Sequence, residues 1–199
     1  MNRATRDRLV HPTQRLLTAG NACLETPPAV FAALDFQFGP FDLDLCADES
    51  STLCPVWFGP QSPVEEFDAL KANWRAYGQN GFANPPYGPF VGLLLAWAKV
   101  EAKLGFASTL LLPVRATKAF HAHVLHGASE LLFCDRRIAF WEHGKPKLDP
   151  ATKKPTGALF DSMIVRFAPG MRFSPPRVGS WKVPPHDGAK KVDRGSQKT

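Results

Sequence analysis

The feature that most constrains the fold is a short apolar run that ends at a proline. Thr109-Leu110-Leu111-Leu112 carries no charge, and Pro113 follows directly. A continuous apolar strand is expected where both faces of a sheet are covered, as in a parallel sheet flanked by helices. The run therefore predicts a buried central strand and favours the α/β class.

Strand and helix patterns alternate on either side of this run. Further strands are predicted over residues 41–45, 130–134 and 163–167. Helices are predicted over residues 65–74, 90–104 and 116–125. Another helix is predicted after Thr26, with Thr26 as its cap and Pro27 in its first position. This order predicts a doubly wound, mostly parallel sheet in a single domain, with ligands beyond the carboxyl ends of the strands.

The two ends of the chain differ in composition from the region between them. Residues 1–20 carry arginines without an apolar period, which predicts a flexible basic arm. Residues 174–199 are rich in Pro and Lys, which predicts a mobile basic tail. The folded domain is therefore expected over residues 21–173. No run is apolar enough for a membrane span or a secretory signal, so we expect a cytoplasmic protein. We expect it to be a monomer or weak dimer.

The net charge and the positions of the Cys and His residues indicate which partners and ligands to expect. The formal net charge of +6 favours a polyanion such as DNA. None of the four cysteines forms a CxxC pair, and His121, His123 and His126 have no fixed acidic neighbour. We therefore expect a DNA partner and no metal.

The segment with the clearest chemical meaning is Asn84-Pro85-Pro86-Tyr87, which follows a short strand pattern. An amino group on an aromatic ring is a poor nucleophile because its lone pair is delocalised, so a catalyst must hold it between fixed acceptors. Asn84 offers a side-chain oxygen, and Pro85 offers a carbonyl with no competing N–H. Tyr87 offers a ring on which an extruded base can stack. A purely structural proline turn is the alternative.

With this segment in place, the chain resembles the phage-type, Dam-like DNA adenine-N6 methyltransferases, with the motif order of the γ class. The resemblance covers residues 25–169. It implies the Rossmann-like methyltransferase fold, S-adenosylmethionine as cofactor, and N6 of a flipped-out adenine as acceptor. The implied catalytic residues are Asn84, Pro85, Pro86 and Tyr87.

Two short segments resemble cofactor-binding motifs of this family. Thr26-Pro27 resembles the N-terminal threonine–proline motif, which implies that Thr26 contacts the methionine end of the cofactor. Asp68-Ala69 resembles the motif whose aspartate accepts a hydrogen bond from the adenine amine of the cofactor.

A third segment, from Asp44 to Asp48, resembles the first cofactor strand and its loop. The resemblance implies that Asp44 faces the cofactor's ammonium, while the backbone near Cys46 and Ala47 approaches its carboxylate. These two residues stand where most methyltransferases have Gly-x-Gly. Asp48 or Glu49 is a candidate for the ribose hydroxyls.

Basic and aromatic residues in the second half are candidates for contact with DNA. Arg136-Arg137 and Phe140 lie in a segment that resembles the one closing over the target base, and core packing is an equal alternative for Phe140 and Trp141. Arg115, just past a strand end, is another candidate phosphate contact. The Lys-rich loop 144–157 is either a small recognition element or a solvated loop.

Other functions share these features. Asn-Pro-Pro-Tyr also serves methylation of RNA adenine and of protein glutamine, although a protein-directed enzyme would be expected to carry a glycine-rich loop and an extra helical domain. A cytosine-N4 enzyme would more typically have Ser in place of Asn84. A catalytically silent DNA-binding module, with a structural proline turn, is the alternative outside enzymes.

Overall fold

A seven-stranded sheet forms the centre of the computed structural model, which describes residues 24–170 and 175–185 of the chain. Its strands are β1 (Leu43–Asp44), β2 (Val56–Trp57), β3 (Asn80–Ala83), β4 (Ala107–Pro113), β5 (Glu130–Cys134), β8 (Ser162–Phe167) and β9 (Arg177–Trp181). The order is β2-β1-β3-β4-β8-β5-β9, and β8 alone among these strands runs antiparallel to its neighbours. The predicted mostly parallel α/β sheet is confirmed.

Smaller elements flank the sheet. They are α1 (Pro28–Phe38), a 3-10 turn (Trp74–Ala76), α2 (Pro89–Lys103), a π-helical turn (Phe120–Val124) and a hairpin of β6 (Trp141–Glu142) with β7 (Lys145–Pro146). Within the described ranges, no helix is long and apolar enough to cross a membrane. Residues 1–20, predicted as a basic arm, lie outside the described residues.

The central strand β4 is buried along its whole length, as its apolar run predicted. Leu110 and Leu112 belong to the core cluster on the α2 side, whereas Leu111 belongs to the cluster on the α1 side. Full burial of one such side chain contributes about 1.5–3 kcal/mol. Both faces of the sheet are therefore stabilised by the same strand.

The first helix begins one residue later than predicted. Pro28, not Pro27, occupies its first turn, and the carbonyl of Pro27 accepts the N–H groups of Val30 and Phe31 at 2.9 and 3.0 Å. The predicted cap, Thr26, makes no side-chain hydrogen bond to the helix, because its buried hydroxyl oxygen has no partner among the described residues. Thr26 is therefore not a helix cap.

The helix predicted over residues 65–74 is wrong, because the segment forms irregular turns that end in the 3-10 turn. Asp68 is the reason: its side chain accepts the N–H of Leu70 at 3.0 Å, which competes with helical hydrogen bonding. The indole of Trp74 donates to the carbonyl of Ala69 at 2.7 Å and closes the loop.

The prediction of a mobile tail from residue 174 is wrong for β9. This strand pairs in parallel with β5, with Leu131 opposite Val178 and Cys134 opposite Trp181. Trp181 and Val183 are buried in the α1-side cluster, although four prolines and several charges surround them in the sequence. The sheet therefore extends beyond the predicted domain boundary at residue 173.

The strand order creates a crevice between β1 and β3. From β1 the chain moves to β2 on one side, and β3 then returns to the other side of β1. Such a reversal leaves an open crevice at the carboxyl ends of the strands, where α/β proteins bind ligands. The loops that begin at Cys46 and Asn84 face each other there.

One glycine lies against the loop that follows β1. Gly59 has φ +146°, and a Cβ atom at this position would lie 1.9 Å from the carbonyl oxygen of Ala47. The neighbouring residue Phe58 accepts the N–H of Ala47 at 3.1 Å. A side chain at Gly59 would therefore displace the loop after β1.

We predict that Gly59→Ala lowers the free energy of unfolding by about 1–3 kcal/mol more than Gly105→Ala. Gly105 also has a positive φ, +105°, but a Cβ there would meet no described atom within 4 Å, so it reports backbone strain alone. Urea denaturation measures both variants. Equal losses of unfolding free energy in the two variants would show that the contact with Ala47 is not tight.

Candidate active site

A cavity of about 400 Å³ occupies the crevice between β1 and β3. Its volume is in the range of sites for small organic ligands. Four parts of the chain surround it: the segment before α1, the loop after β1, the turn after β3, and the region between β5 and β8. The lining residues are Leu24, Glu25, Cys46, Ala47, Asp48, Ser51, Asn84, Pro85, Pro86, Tyr87, Phe140, Lys147, Thr156, Gly157, Ala158, Leu159 and Phe160.

The side chain of Asn84 has a defined orientation. Its Nδ2 donates to the carbonyl oxygen of Leu24 at 2.6 Å. No described residue donates to its Oδ1, and none donates to the carbonyl oxygen of Pro85. Because the amide nitrogen is held from one side, the amide oxygen is the atom that Asn84 can offer to a ligand. The sequence did not indicate Leu24, whose contribution is a backbone atom.

Aromatic rings form one wall of the cavity. The rings of Tyr87 and Phe160 meet edge to face, with centroids 4.9 Å apart, and Phe160 lies 6.4 Å from Phe140. The Tyr87 hydroxyl is buried and has no hydrogen-bond partner among the described residues, and burial raises its pKa above the usual value. Tyr87 is thus a neutral ring that can stack with a planar ligand.

Phe140 belongs to the core and also borders the cavity. It is almost fully buried in the α1-side cluster, and it also lines the cavity. Trp141, the other candidate, lies outside the cavity lining, where its backbone exchanges hydrogen bonds of 3.0 and 2.9 Å with Glu25. Phe160 was not predicted, although an apolar Leu-Phe pair at the end of a polar loop was a signal for it.

Asp44 lies next to the cavity wall and is itself buried. Its Oδ1 accepts the N–H of the lining residue Cys46 at 3.1 Å. Burial raises the pKa of Asp44 to about 7, although backbone hydrogen bonds from Cys46 and Leu53 oppose this. Burial, followed by the charges of Asp44 and Asp68, raises the pKa of the Cys46 thiol well above its usual value. The two carboxyl groups thus lie close to the same cysteine.

Asp48 forms the turn that closes the loop after β1. Burial acts to raise its pKa, but hydrogen bonds from Ser50 and Ser51 outweigh this and lower it. The N–H groups of both serines donate to Oδ1 at 2.9 Å. Asp48 lines the cavity, whereas the alternative acid Glu49 does not.

Four of the eight predicted cofactor residues are buried and do not line the main cavity, and Pro27 borders a separate small cavity. The four are Thr26, Asp44, Asp68 and Ala69. The remaining three, Cys46, Ala47 and Asp48, line the main cavity directly. The structure therefore places three of the eight predicted cofactor residues, all in the loop after β1, in the cavity lining.

The predicted DNA-contacting arginines lie outside the main cavity. Arg115 follows β4 and lines a second cavity of about 290 Å³, which shares Tyr87 with the first. Arg136 and Arg137 are exposed and pair with Asp135 and Asp161 at 3.5 and 3.1 Å. Exposed pairs contribute at most about 1 kcal/mol, so both arginines can exchange their partners for phosphates.

Part of the Lys-rich loop reaches the cavity. Lys147, Thr156 and Gly157 line it, and Lys147 lies 3.5 Å from Glu142. In the described part of the chain, no group of three His, Cys, Asp or Glu side chains could hold a metal ion.

Comparison with known proteins gives one match. A family model described as DNA N-6-adenine-methyltransferase (Dam) matches residues 16–172, which is most of the chain. A search of curated proteins found no match.

Asp44 is predicted to make stability depend on pH. Its pKa is raised from 3.8 to about 7, so between these values the folded state holds a proton that the unfolded state releases. Protonated Asp44 therefore contributes fully to the free energy of unfolding below pH 4, and its contribution falls as pH rises towards 7. Asp44→Asn retains the acceptor for Cys46 and should remove this slope.

Urea denaturation at pH 5 and pH 8 measures the effect. Asp149→Asn is the matched control, because local hydrogen bonds lower the pKa of that exposed carboxyl and it should not titrate in this range. An Asp44→Asn variant with the same slope as the unmodified protein would contradict the assignment.

Proposed function

The chain belongs to the Dam family of DNA N-6-adenine-methyltransferases, and from this premise we propose that it methylates N6 of an adenine turned out of DNA, with S-adenosylmethionine as donor. The observation that carries the proposal is the orientation of Asn84. Its amide nitrogen is held by Leu24, and its amide oxygen receives no hydrogen bond from the described residues. Asn84 lines the cavity which the loop after β1 also lines.

Asn84 and Pro85 hold the amino group of the target base. The Asn84 oxygen and the Pro85 carbonyl accept its two N–H hydrogens and draw the nitrogen lone pair away from the ring. Positive charge develops on this nitrogen as it attacks, so both acceptors stabilise the transition state more than the ground state. Because the hydrogen bond to Leu24 fixes the amide in advance, little reorganisation is needed.

Tyr87 supports the base from one face. Its ring is held by Phe160, and an aromatic ring that stacks on an extruded base contributes about 1–3 kcal/mol. Pro86 is part of the turn that keeps Tyr87 next to Asn84.

The residues around the crevice fit S-adenosylmethionine. We assign its binding to the eight residues Thr26, Pro27, Asp44, Cys46, Ala47, Asp48, Asp68 and Ala69. The buried hydroxyl of Thr26 lacks a partner among the described residues, as expected of a group that receives one from a ligand. Burial raises the pKa of the Asp44 carboxyl. A cation beside it, such as the one that the cofactor carries, would favour its ionised form. When bound, the cofactor supplies an electrophilic methyl group on a sulfonium.

Arg115, Arg136 and Arg137 are assigned to the DNA backbone. All three are exposed, and Arg115 is separated from the main cavity by Tyr87, which lines both cavities. Contacts of this kind orient the duplex and carry no sequence information. They should make binding weaken as salt concentration rises.

Asn84→Ala should lower the rate of methyl transfer at least about 100-fold, the usual loss when one fixed group that stabilises the transition state is removed. Asn84→Asp should also lose most activity, because a carboxylate cannot donate to the Leu24 carbonyl. Transfer of labelled methyl groups to DNA measures the rates. Asn73→Ala is the control, since Asn73 is exposed and outside the cavity.

Calorimetry then separates catalysis from binding. Both Asn84 variants should bind the cofactor almost as tightly as the unmodified protein does. Substantial activity in Asn84→Ala would exclude Asn84 as an acceptor. Absence of cofactor binding by the unmodified protein would favour the catalytically silent DNA-binding module.

Thr26→Val tests the cofactor assignment with two opposite effects. Removal of a buried, unpartnered hydroxyl should raise the free energy of unfolding of the ligand-free protein, by up to about 1–3 kcal/mol. The same change should weaken cofactor binding, because valine has no hydroxyl with which to form a hydrogen bond to the cofactor. Denaturation and calorimetry measure the two quantities, and unchanged affinity would remove Thr26 from the site.

The acceptor itself is identified in cells that lack adenine methylation. Expression of the protein there, followed by single-molecule sequencing, should reveal methylated adenines in DNA within a defined sequence. The Asn84→Ala protein is the control. Methylation confined to RNA adenine or to protein glutamine would overturn the choice of DNA.

A further inference from the structure

One leucine at the mouth of the cavity is almost completely exposed. The Leu159 side chain is 94% accessible, although it lines the cavity that holds Asn84 and Tyr87. Isolated exposed apolar residues are common, so exposure alone carries no function. Phe36 is equally exposed at 96%, but it lies on α1 and does not line this cavity.

The backbone around Leu159 is fixed on both sides. Ala158 donates its N–H to the carbonyl of Ile138 at 2.9 Å, and the carbonyl of Asp161 accepts the N–H of Val114 at 2.8 Å. Between these anchors Phe160 points inward, with its ring 4.9 Å from that of Tyr87. Leu159 is therefore exposed on a segment that is hydrogen-bonded on both sides, and it lines the same cavity as Tyr87.

The surroundings of Leu159 are basic. Residues 136–161 carry six Lys or Arg and three Asp or Glu. Of these, Arg137 lies beside Gly157, where an added Cβ would be 3.0 Å from the Cβ of Arg137, and Lys147 lines the same cavity. A protruding apolar group in a cationic frame is complementary to a DNA duplex, whose phosphates surround an apolar base stack.

We propose that Leu159 is a wedge that enters the base stack of duplex DNA and fills the space left by the target adenine while that base lies in the cavity. The proposal rests on the proposed function and adds to it a residue for opening the duplex. Extrusion of a paired base costs stacking and pairing energy, and an apolar side chain inserted into the stack offsets part of that cost. Because the neighbouring backbone is anchored by hydrogen bonds, that backbone needs little ordering when the side chain inserts.

The test compares two oligonucleotide substrates that carry the methylated sequence found by genome mapping. In one the target adenine is paired with thymine, and in the other it faces an abasic site. Single-turnover methyl transfer is measured for the unmodified protein and for Leu159→Ala, Leu159→Met and Leu148→Ala. Leu148 is the matched control, because it is a 48% exposed leucine of the same loop that does not line the cavity.

We expect Leu159→Ala to be slower on the order of tenfold on the paired substrate and nearly unchanged on the abasic one, because only the paired base must be pulled from the helix. Leu159→Met and Leu148→Ala should match the unmodified protein. Equal rates for Leu159→Ala and the unmodified protein on paired DNA would overturn the wedge. An equal loss on both substrates would also overturn it, since Leu159 would then serve the cavity instead.

Failure of the underlying function gives a different result. If the unmodified protein methylates neither oligonucleotide, the proposed function is wrong, and the wedge falls with it. Because Leu159 is exposed, thermal denaturation of Leu159→Ala should match that of the unmodified protein, which excludes misfolding as the cause of any loss.

Discussion

The parallel pairing of β1 with β3 is the constraint on which the site depends. Leu43 and Asp44 lie opposite Gly81 and Phe82, and the next N–H, from Leu45, donates to the carbonyl of Phe82 at 2.8 Å. Because both strands point the same way, the loop after β1 and the turn after β3 emerge side by side. β4 then supports β3 from the other side and is buried on both faces. The sheet register therefore determines which residues can meet a common ligand.

Some buried polar groups without described partners lie where a ligand is expected. Within the described residues, five buried side-chain polar atoms lack a hydrogen bond, and two of them, Thr26 Oγ1 and Tyr87 Oη, adjoin or line the proposed site. Such groups lower the stability of a ligand-free fold, so they are usually retained for a function. The raised pKa of Asp44 has the same origin, because burial disfavours its charged form until a cation is nearby. The groups around the cavity thus lower the stability of the ligand-free protein.

Local sequence patterns predicted the regular elements well where the apolar period was strong, as in β4, β5, β8 and α2. They failed where a side chain or a distant strand determined the conformation. Asp68 replaces helical hydrogen bonds in the segment before the 3-10 turn, and β9 gains its order from pairing with β5. Thr26 matched a capping pattern, but the carbonyl of Pro27 accepts the first N–H groups of the helix. The family resemblance was confirmed over residues 16–172.

By itself, the sequence determined the α/β class, the family, and the residues of the proposed catalytic turn, because apolar periodicity and the Asn-Pro-Pro-Tyr segment are properties of contiguous residues. Only the tertiary structure decided how Asn84 is oriented, since its partner is a backbone carbonyl sixty residues earlier in the chain, at Leu24. It also decided that Phe160 packs on Tyr87 while Leu159 is exposed, because backbone hydrogen bonds to Ile138 and Val114, both distant in sequence, anchor that loop. Contacts between residues far apart in sequence depend on strand register and loop closure, and no local pattern encodes them.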